Sequence, residues 1–299
     1  MDRLQTMSIF VAVAEEAGFS AAARRLHLSA PSVTRAVGEL EARLQARLLH
    51  RTTRTVRLTD AGARYLADCQ RIVSEIEEAD SHAAGIHAAP QGIVSLTGSA
   101  LFGRIVLTPI LVELLSRYPD ISINTLFVDR VVNLIDEGID IAVRIADLPD
   151  SSLAAIRVGS VRRVLCASPN YLAAVGNPET PNDLAGHDTV DFTNIMPHGE
   201  WDFERDGKIQ NFKTLSRLRA NSADVAIAAA VADRGITRVL SYMVAPELES
   251  GELQLVLPDF TPPAVPVHVV HKEQGQTSGR VRAVVDHLAD RLRQVPALR

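Results

Sequence analysis

At 299 residues the chain is about twice the length of an ordinary domain, so two or three compact units are expected, each with its own core. Hydrophobic residues make up 46% and charged residues 22%, a balance that excludes intrinsic disorder and fibrous repeats. The formal net charge is −5, which excludes a chain that is basic throughout. The charge is unevenly spread, however. Between residues 24 and 57 eight arginines stand against Glu39 and Glu41, a local balance of +6, and the rest is acidic by comparison. That asymmetry places an electrostatic footprint for phosphates at one end of the molecule.

No run of about 18 apolar residues occurs, so neither export nor membrane spanning is supported, and a cytoplasmic protein with no membrane partner is expected. Cys69 and Cys166 lack any spacing that suggests zinc or a redox pair, and are read as buried free thiols.

In chain order, Leu4, Met7, Val11 and Ala14 predict a core helix over residues 3–17, stopped by Gly18. Ser20 is expected to cap a second helix, AAARRL, and Ser29 a third, in whose first turn Pro31 is tolerated. Val33, Val37, Leu40 and Leu44 give the third helix an inward stripe. Ser32, Thr34 and Arg35 therefore flank that core or face away from it, near the end where a recognition helix meets base edges. Arg35 can make the paired hydrogen bonds that read guanine, while Ser32 and Thr34 are short hydroxyl donors suited to phosphates or bases. Ordinary helix-surface residues are the alternative, and the neighbouring hairpin weighs against it. In that hairpin, HRTTRTVRLT, Leu49, Val56 and Leu58 supply packing. Arg51, Thr53, Arg54 and Arg57 cluster about a polar turn that can lie on a phosphate backbone or enter a minor groove. The pattern is a winged helix-turn-helix.

From residue 60 to about 88, Tyr65, Cys69, Ile72, Ile76, Ala79, Ala83 and Ile86 recur at spacings of 4 and 3, with Thr59 or Asp60 as cap and Pro90 as stop. So long a helix calls for a second protomer, and packing on its own domain is the alternative. Strands then alternate with helices: IVSLTG, a helix over 104–118, ISINTLF, a helix over 131–137 and IDIAVRI. This predicts a mainly parallel sheet flanked by helices. A second cycle runs from VRRVLCAS through a hairpin at Asp206 and Gly207, a helix over 222–234 halted by Gly235, and ITRVLS. VPVHVVH and a helix over 281–293 then return to the first half. Two lobes joined by crossings near 161–164 and 265–268 would leave a cleft between them.

The run FSAAARRLHLSAPSVTRAVGELEARLQARLLHRTTRTVRLTDAG, with DRVVNLIDEGIDIAVRI, LPDSSLAAIRVGSVRRVLCASPNYL, DLAGHD and RGITRVLSYMVA, resembles LysR-type transcriptional regulators over essentially the whole chain. The resemblance implies an α/β protein with an all-α-type winged helix-turn-helix domain (1–59), a long linker helix (60–89) and a two-lobed, periplasmic-binding-protein-like effector domain (90–299). Its first lobe would take about 90–161 and 267–299, its second about 162–266. It implies promoter binding by double-stranded DNA contacts at Ala30, Pro31, Thr34, Arg35 and Arg54. Ala30 stands where a glutamine is frequent and Gln45 where a glycine is frequent; a left-handed backbone there would cost Gln45 about 1 kcal/mol. It further implies a small-molecule inducer, a carboxylate or aromatic metabolite by analogy, and a homodimer or homotetramer. RNA polymerase is left open as another partner, and no cofactor is implied.

Ligands of open α/β sheets gather at the carboxyl ends of strands and at helix N-termini. The expected effector residues, to which the resemblance also points, are Ser99, Ala100, Leu101 and Phe102 from the first lobe and Thr193, Asn194, Asn221 and Ser222 from the second. Helix capping by Asn221 or Ser222 is an alternative that does not exclude a ligand role. Arg144 and Arg238 sit in apolar strand patterns, where each could hold a carboxylate or an internal ion pair. GxSxG, HExxH, GxGxxG and P-loop motifs are absent and nine histidines are scattered, so no enzyme is expected. Solute binding or catalysis by the two-lobed half is the rival reading.

Overall fold

The computed structural model describes residues 2–51, 56–83, 89–148, 153–193, 200–214, 216–272 and 278–299. Thr53, Arg54, Ile86 and Asn194 lie outside the described residues, as do the side chains of Arg51, Ala79 and Ala83. Two compact units divide at Ile93 and Val94.

In the first unit α1 (Arg3–Glu15), α2 (Phe19–Arg25) and α3 (Ala30–Leu44) precede a hairpin of β1 (Leu49–Arg51) and β2 (Val56–Leu58), then α4 (Asp60–Ala83). Thr6, Met7, Ile9, Phe10, Ala12 and Val13 of α1 are buried, on more than one face, because α2, α3 and α4 all pack on it. The expected narrow stripe is thereby corrected: Leu4, Val11 and Ala14 are only half-buried. The left-handed turn after α1 falls on Ala17 (φ 48°) instead of Gly18, which becomes the N-cap of α2. Ser20 is therefore not a cap; Phe19 packs against the head core and draws the helix start back. Ser29 caps α3 as expected, its hydroxyl accepting from the Ser32 amide, and Gln45 adopts the left-handed conformation (φ 50°, ψ 33°).

The apolar seam of α4 divides. Cys69 is fully buried, and Tyr65 and Ile72 pack with it against the chain's own head, Tyr65 lying 5.9 Å from the Phe10 ring. Ile76 is 37% exposed. Packing on its own domain accounts for the first half of the seam.

Among its described residues the second unit holds two five-stranded sheets and a two-stranded hairpin. In chain order come β3 (Gly92–Gly98), α5 (Ala100–Phe102), a π turn (Gly103–Leu107), α6 (Thr108–Arg117), β4 (Ile121–Phe127), β5 (Ile141–Ile145), β6 (Leu153–Val161), β7 (Arg163–Ala167) and α7 (Pro169–Val175). Then follow β8 (Thr189–Phe192), β9 (Glu200–Arg205), β10 (Lys208–Lys213), β11 (Leu218–Ala220), α8 (Ala223–Val231), β12 (Ile236–Leu240), α9 (Ala245–Ser250), β13 (Gln254–Val256), β14 (Val265–Lys272) and α10 (Gly279–Leu292). The first sheet has the order β4-β3-β5-β14-β6 and the second β11-β8-β12-β7-β13.

Both sheets are mixed, which corrects the expectation of mainly parallel ones. β3 runs parallel to β5, but β14 is antiparallel to β5 and β6, and β7 is antiparallel to β12 and β13. The reversed strands flank the crossings between lobes, at Val161–Arg163 and ahead of Val265. The helix expected over 131–137 is absent: Asn133 Oδ1 accepts from the Ile135 amide at 3.0 Å, an Asx turn that competes with helix, and a turn follows to Gly138. The β9–β10 hairpin closes as read, with Asp206 (φ 53°) and Gly207 (φ 73°) both left-handed.

Candidate DNA-contact surface and interlobe cleft

α3 presents two faces. Val33, Ala36, Val37 and Leu40 are fully buried against the head core, whereas Pro31, Thr34 and Arg35 are exposed. Ala30 is half-buried, packing on the core, and Ser32 is half-buried too. The short hydroxyls are already engaged: Ser32 Oγ lies 2.7 Å from Ser29 Oγ, and Thr34 Oγ1 donates to the Ala30 carbonyl at 2.9 Å. Each must rotate, or offer a lone pair, to meet a nucleotide. The exposed guanidinium of Arg35 carries no such commitment among the described residues. Of the neighbouring arginines, Arg25 is held by Glu15 at 2.7 Å and Glu16 at 3.4 Å, which removes it from the free positive charge.

Two side chains, Glu41 and Thr59, fix the hairpin on α3 and α4. Glu41 Oε1 accepts from the backbone amides of Leu48 (2.8 Å) and Leu49 (3.1 Å). Thr59 Oγ1 donates to the Arg47 carbonyl (2.7 Å) and accepts from the Gly62 amide (2.9 Å), capping α4. Strand register pairs His50 with Arg57 and Arg51 with Val56.

Between the two sheets of the second unit lies a cavity of about 490 Å³. The first lobe lines it with Thr97–Ser99, residues 128–132 and residues 142–148; the second lobe supplies Arg163, Phe192, Leu240 and Met243. Of the expected effector residues that are described, only Ser99 lines it. Leu101 and Phe102 are buried, because the helix opening at Ala100 turns them into the core, where Phe102 meets Tyr242 edge-on at 5.1 Å. The Ala100 amide, free at a helix N-terminus in principle, is taken by Asp129 Oδ1 at 2.9 Å. Thr193 bonds back to the Ala220 carbonyl through its amide (2.8 Å) and hydroxyl (3.2 Å). Ser222 holds the N-cap position of α8 without a side-chain cap bond, and Asn221 is exposed. None of these three lines the cavity.

The sequence reading missed the segment after β4. Asp129 and Arg130 sit at the carboxyl end of that strand, the position where ligands collect, and that rule could have found them. Arg130 is paired in bidentate fashion with Glu137 (2.7 and 2.5 Å), which holds the Glu137 carboxyl below its ordinary value. Arg144 lines the cavity and donates to the Val132 carbonyl at 3.0 Å, so it braces the 128–132 segment, and among the described residues it forms no ion pair. Burial drives the Tyr242 phenol upward, keeping it neutral beside the Ser99 hydroxyl. Among the described residues no His, Cys, Asp and Glu cluster could hold a metal, and no helix is long and apolar enough to cross a membrane.

Residues 4–63 match the bacterial regulatory helix-turn-helix protein, lysR family, and residues 87–293 match the LysR substrate binding domain. The HTH-type transcriptional activator AaeR of Escherichia coli is 31% identical over 97% of this chain and 94% of its own length. An HTH-type transcriptional repressor of Pseudomonas aeruginosa is 33% identical over 100% and 95%. The solved structure of CrgA, a LysR-type transcriptional regulator from Neisseria meningitidis, superposes with a TM-score of 0.63 at 30% identity, covering 96% of this chain and 98% of that one. The full-length virulence activator AphB of Vibrio cholerae gives 0.62 at 23% identity, covering 97% and 99%, a likeness of fold.

Proposed function

Because this chain belongs to the LysR family of DNA-binding transcriptional regulators, we propose which of its residues read DNA and where its effector sits. The exposed face of α3, with Pro31, Thr34 and Arg35, enters the major groove; Ser32 and Ala30 lie at its margin, and the hairpin carrying Arg51, Thr53 and Arg54 follows the backbone. The observation that carries this reading is Arg35, exposed on a helix whose opposite face is wholly buried and whose N-terminus is capped by Ser29.

Arg35→Ala tests it, in fluorescence titrations of the full chain with duplexes from upstream of its own gene. Loss of a bidentate guanine contact is expected to cost about 1–3 kcal/mol and to relax preference at one base pair. Unchanged affinity and unchanged preference would contradict the placement.

The effector site is the interlobe cavity, with Ser99 and the 128–132 segment on one side and Arg163, Phe192 and Met243 on the other. Its volume suits a metabolite of modest size. The cleft binds its ligand without turning it over, and the protein acts in the cytoplasm where its promoter lies. Two or four copies pair through α4 beyond Ile72, placing two heads on one pseudo-palindromic site. Ligand-driven closure would shift operator affinity several-fold at a coupling of about 1–3 kcal/mol. Phe102 against Tyr242 and the Arg104–Asp224 ion pair (2.9 Å) are the bridges between lobes that such closure must respect.

A further inference from the structure

Arg238 lies in the middle of β12, a strand buried at every position, and is itself only 3% exposed. All three of its guanidinium nitrogens are buried, and none has a hydrogen-bond partner among the described residues. In register it faces Leu165, and it shares its sheet face with Ile236 two residues away. Leu165, Ile236, Trp201 and Phe203 form one apolar cluster there, under the β9–β10 hairpin, and the guanidinium carbon is 6.0 Å from the Phe203 ring centre.

A guanidinium has five N–H donors and stays charged under all ordinary conditions, so an apolar cage alone is a costly home for it. Asp202, on the hairpin, favours its charge without forming an ion pair with it, and burial with the neighbouring Arg163 opposes the charge, bringing its pKa down to about 10. Arg163 pairs in register with Leu240, which puts it on the same face of the sheet; its Nε is also buried and unpartnered, and the residue lines the interlobe cavity. Two guanidiniums thus stand side by side, one at the cavity wall and one behind it.

We propose that Arg238, with Arg163 beside it, is an anion-binding site inside the second lobe that takes a small carboxylate arriving from the cleft. A carboxylate answers the guanidinium fork with two parallel N–H···O bonds. With Asp202 counted, the two guanidiniums leave a net single positive charge, which one carboxylate matches, whereas a doubly charged phosphate would leave a surplus in an apolar surround. The inference rests on the buried guanidinium and not on the cleft assignment, so either can fail alone.

Thermal unfolding of the full chain in sodium formate, against sodium chloride at equal ionic strength, tests it. Formate at ten times its dissociation constant raises the wild-type midpoint by about 3–6 °C over chloride. Arg238→Met, in which an apolar isostere replaces an unpaired buried charge, folds and loses that rise. Arg163→Met, at a half-buried position, keeps the test readable should Arg238→Met fail to fold, and needs several-fold more formate for the same rise. Asp202→Asn reaches the rise at lower formate, because a competing carboxylate is gone. No excess of formate over chloride in the wild type, an undiminished rise in Arg238→Met, or unchanged formate dependence in Arg163→Met overturns the proposal. A response found only in Asp202→Asn also overturns it, since Asp202 would then be the natural counter-ion of Arg238.

Discussion

Glu41, in the last turns of α3, holds the backbone amide of Leu48 at 2.8 Å and that of Leu49 at 3.1 Å. One carboxylate thereby fixes where the hairpin leaves α3, and on the proposed reading both elements address the same stretch of duplex. Leu48 and Leu49 are each 1% exposed, so neither amide has water as a substitute.

Glu41→Ala strands those two amides and is expected to cost about 1–3 kcal/mol, through desolvated donors left without an acceptor. Binding to duplex DNA should fall further than stability does, because the hairpin loses its bearing on α3. Urea unfolding and DNA titration of the same variant check the two effects. Equal affinity for DNA would show that the hairpin position does not matter.

Gly62 lies against the Leu48 carbonyl so closely that a Cβ would come within 2.0 Å of the oxygen. Gly62→Ala must push α4 away from the hairpin, and a loss of about 1–3 kcal/mol follows from overpacking. Since backbone, not a flexible side chain, is in the way, the measured unfolding midpoint should drop clearly. A neutral result would mean that α4 can slide without cost.

Both cysteines are fully buried. Burial raises the Cys69 thiol to about 11 and the Cys166 thiol to about 12, the latter with help from Glu247. Little thiolate exists at pH 8, so an aromatic disulfide reagent should leave the folded chain untouched and label two thiols once it is unfolded. Rapid labelling of the native protein would contradict the packing described.

His287, on α10, is 4% exposed, and burial holds its pKa below the ordinary 6.5 against the pull of Glu113. The folded state therefore takes up its proton later than the unfolded one. Stability from this group is complete above about pH 6.5 and declines as pH falls below that value. His287→Gln should flatten the fall in urea midpoint between pH 7.5 and 5.5 relative to wild type. Parallel curves would assign the pH dependence elsewhere, His187 being the next group lowered by burial.

The head was legible because its signals are local: Ser29 caps, Val33, Val37 and Leu40 repeat at helical spacing, and paired β-branched and arginine residues mark the hairpin. Periodicity could not say what the α4 seam packs against, since Cys69 suits its own head as well as a partner helix. The strand Leu153–Val161 escaped notice because its alanines, serine and glycine carry little strand preference. In the cleft, the strand-end rule led to Ser99, which lines the cavity, but the tight start of the following helix turns Leu101 and Phe102 inward, a rotation no residue pattern announces. Asp129 and Arg130 carry no motif of their own, and only the fold brings them to the cavity rim. Arg238 was conspicuous in the sequence as a charge within an apolar strand, but only the structure shows that it lacks an ion pair.

Titration of the full chain with a labelled duplex from upstream of its own gene, beside a scrambled duplex of equal length and across a range of salt, bears most directly on the DNA-reading role. Binding to the upstream duplex should be about a thousandfold tighter than to the scrambled one, and both should weaken steeply as salt rises, because releasing counterions into concentrated salt gains less entropy. Equal affinity for the two duplexes, or binding indifferent to salt, would contradict a head that reads base edges with Arg35 and grips phosphates with its hairpin.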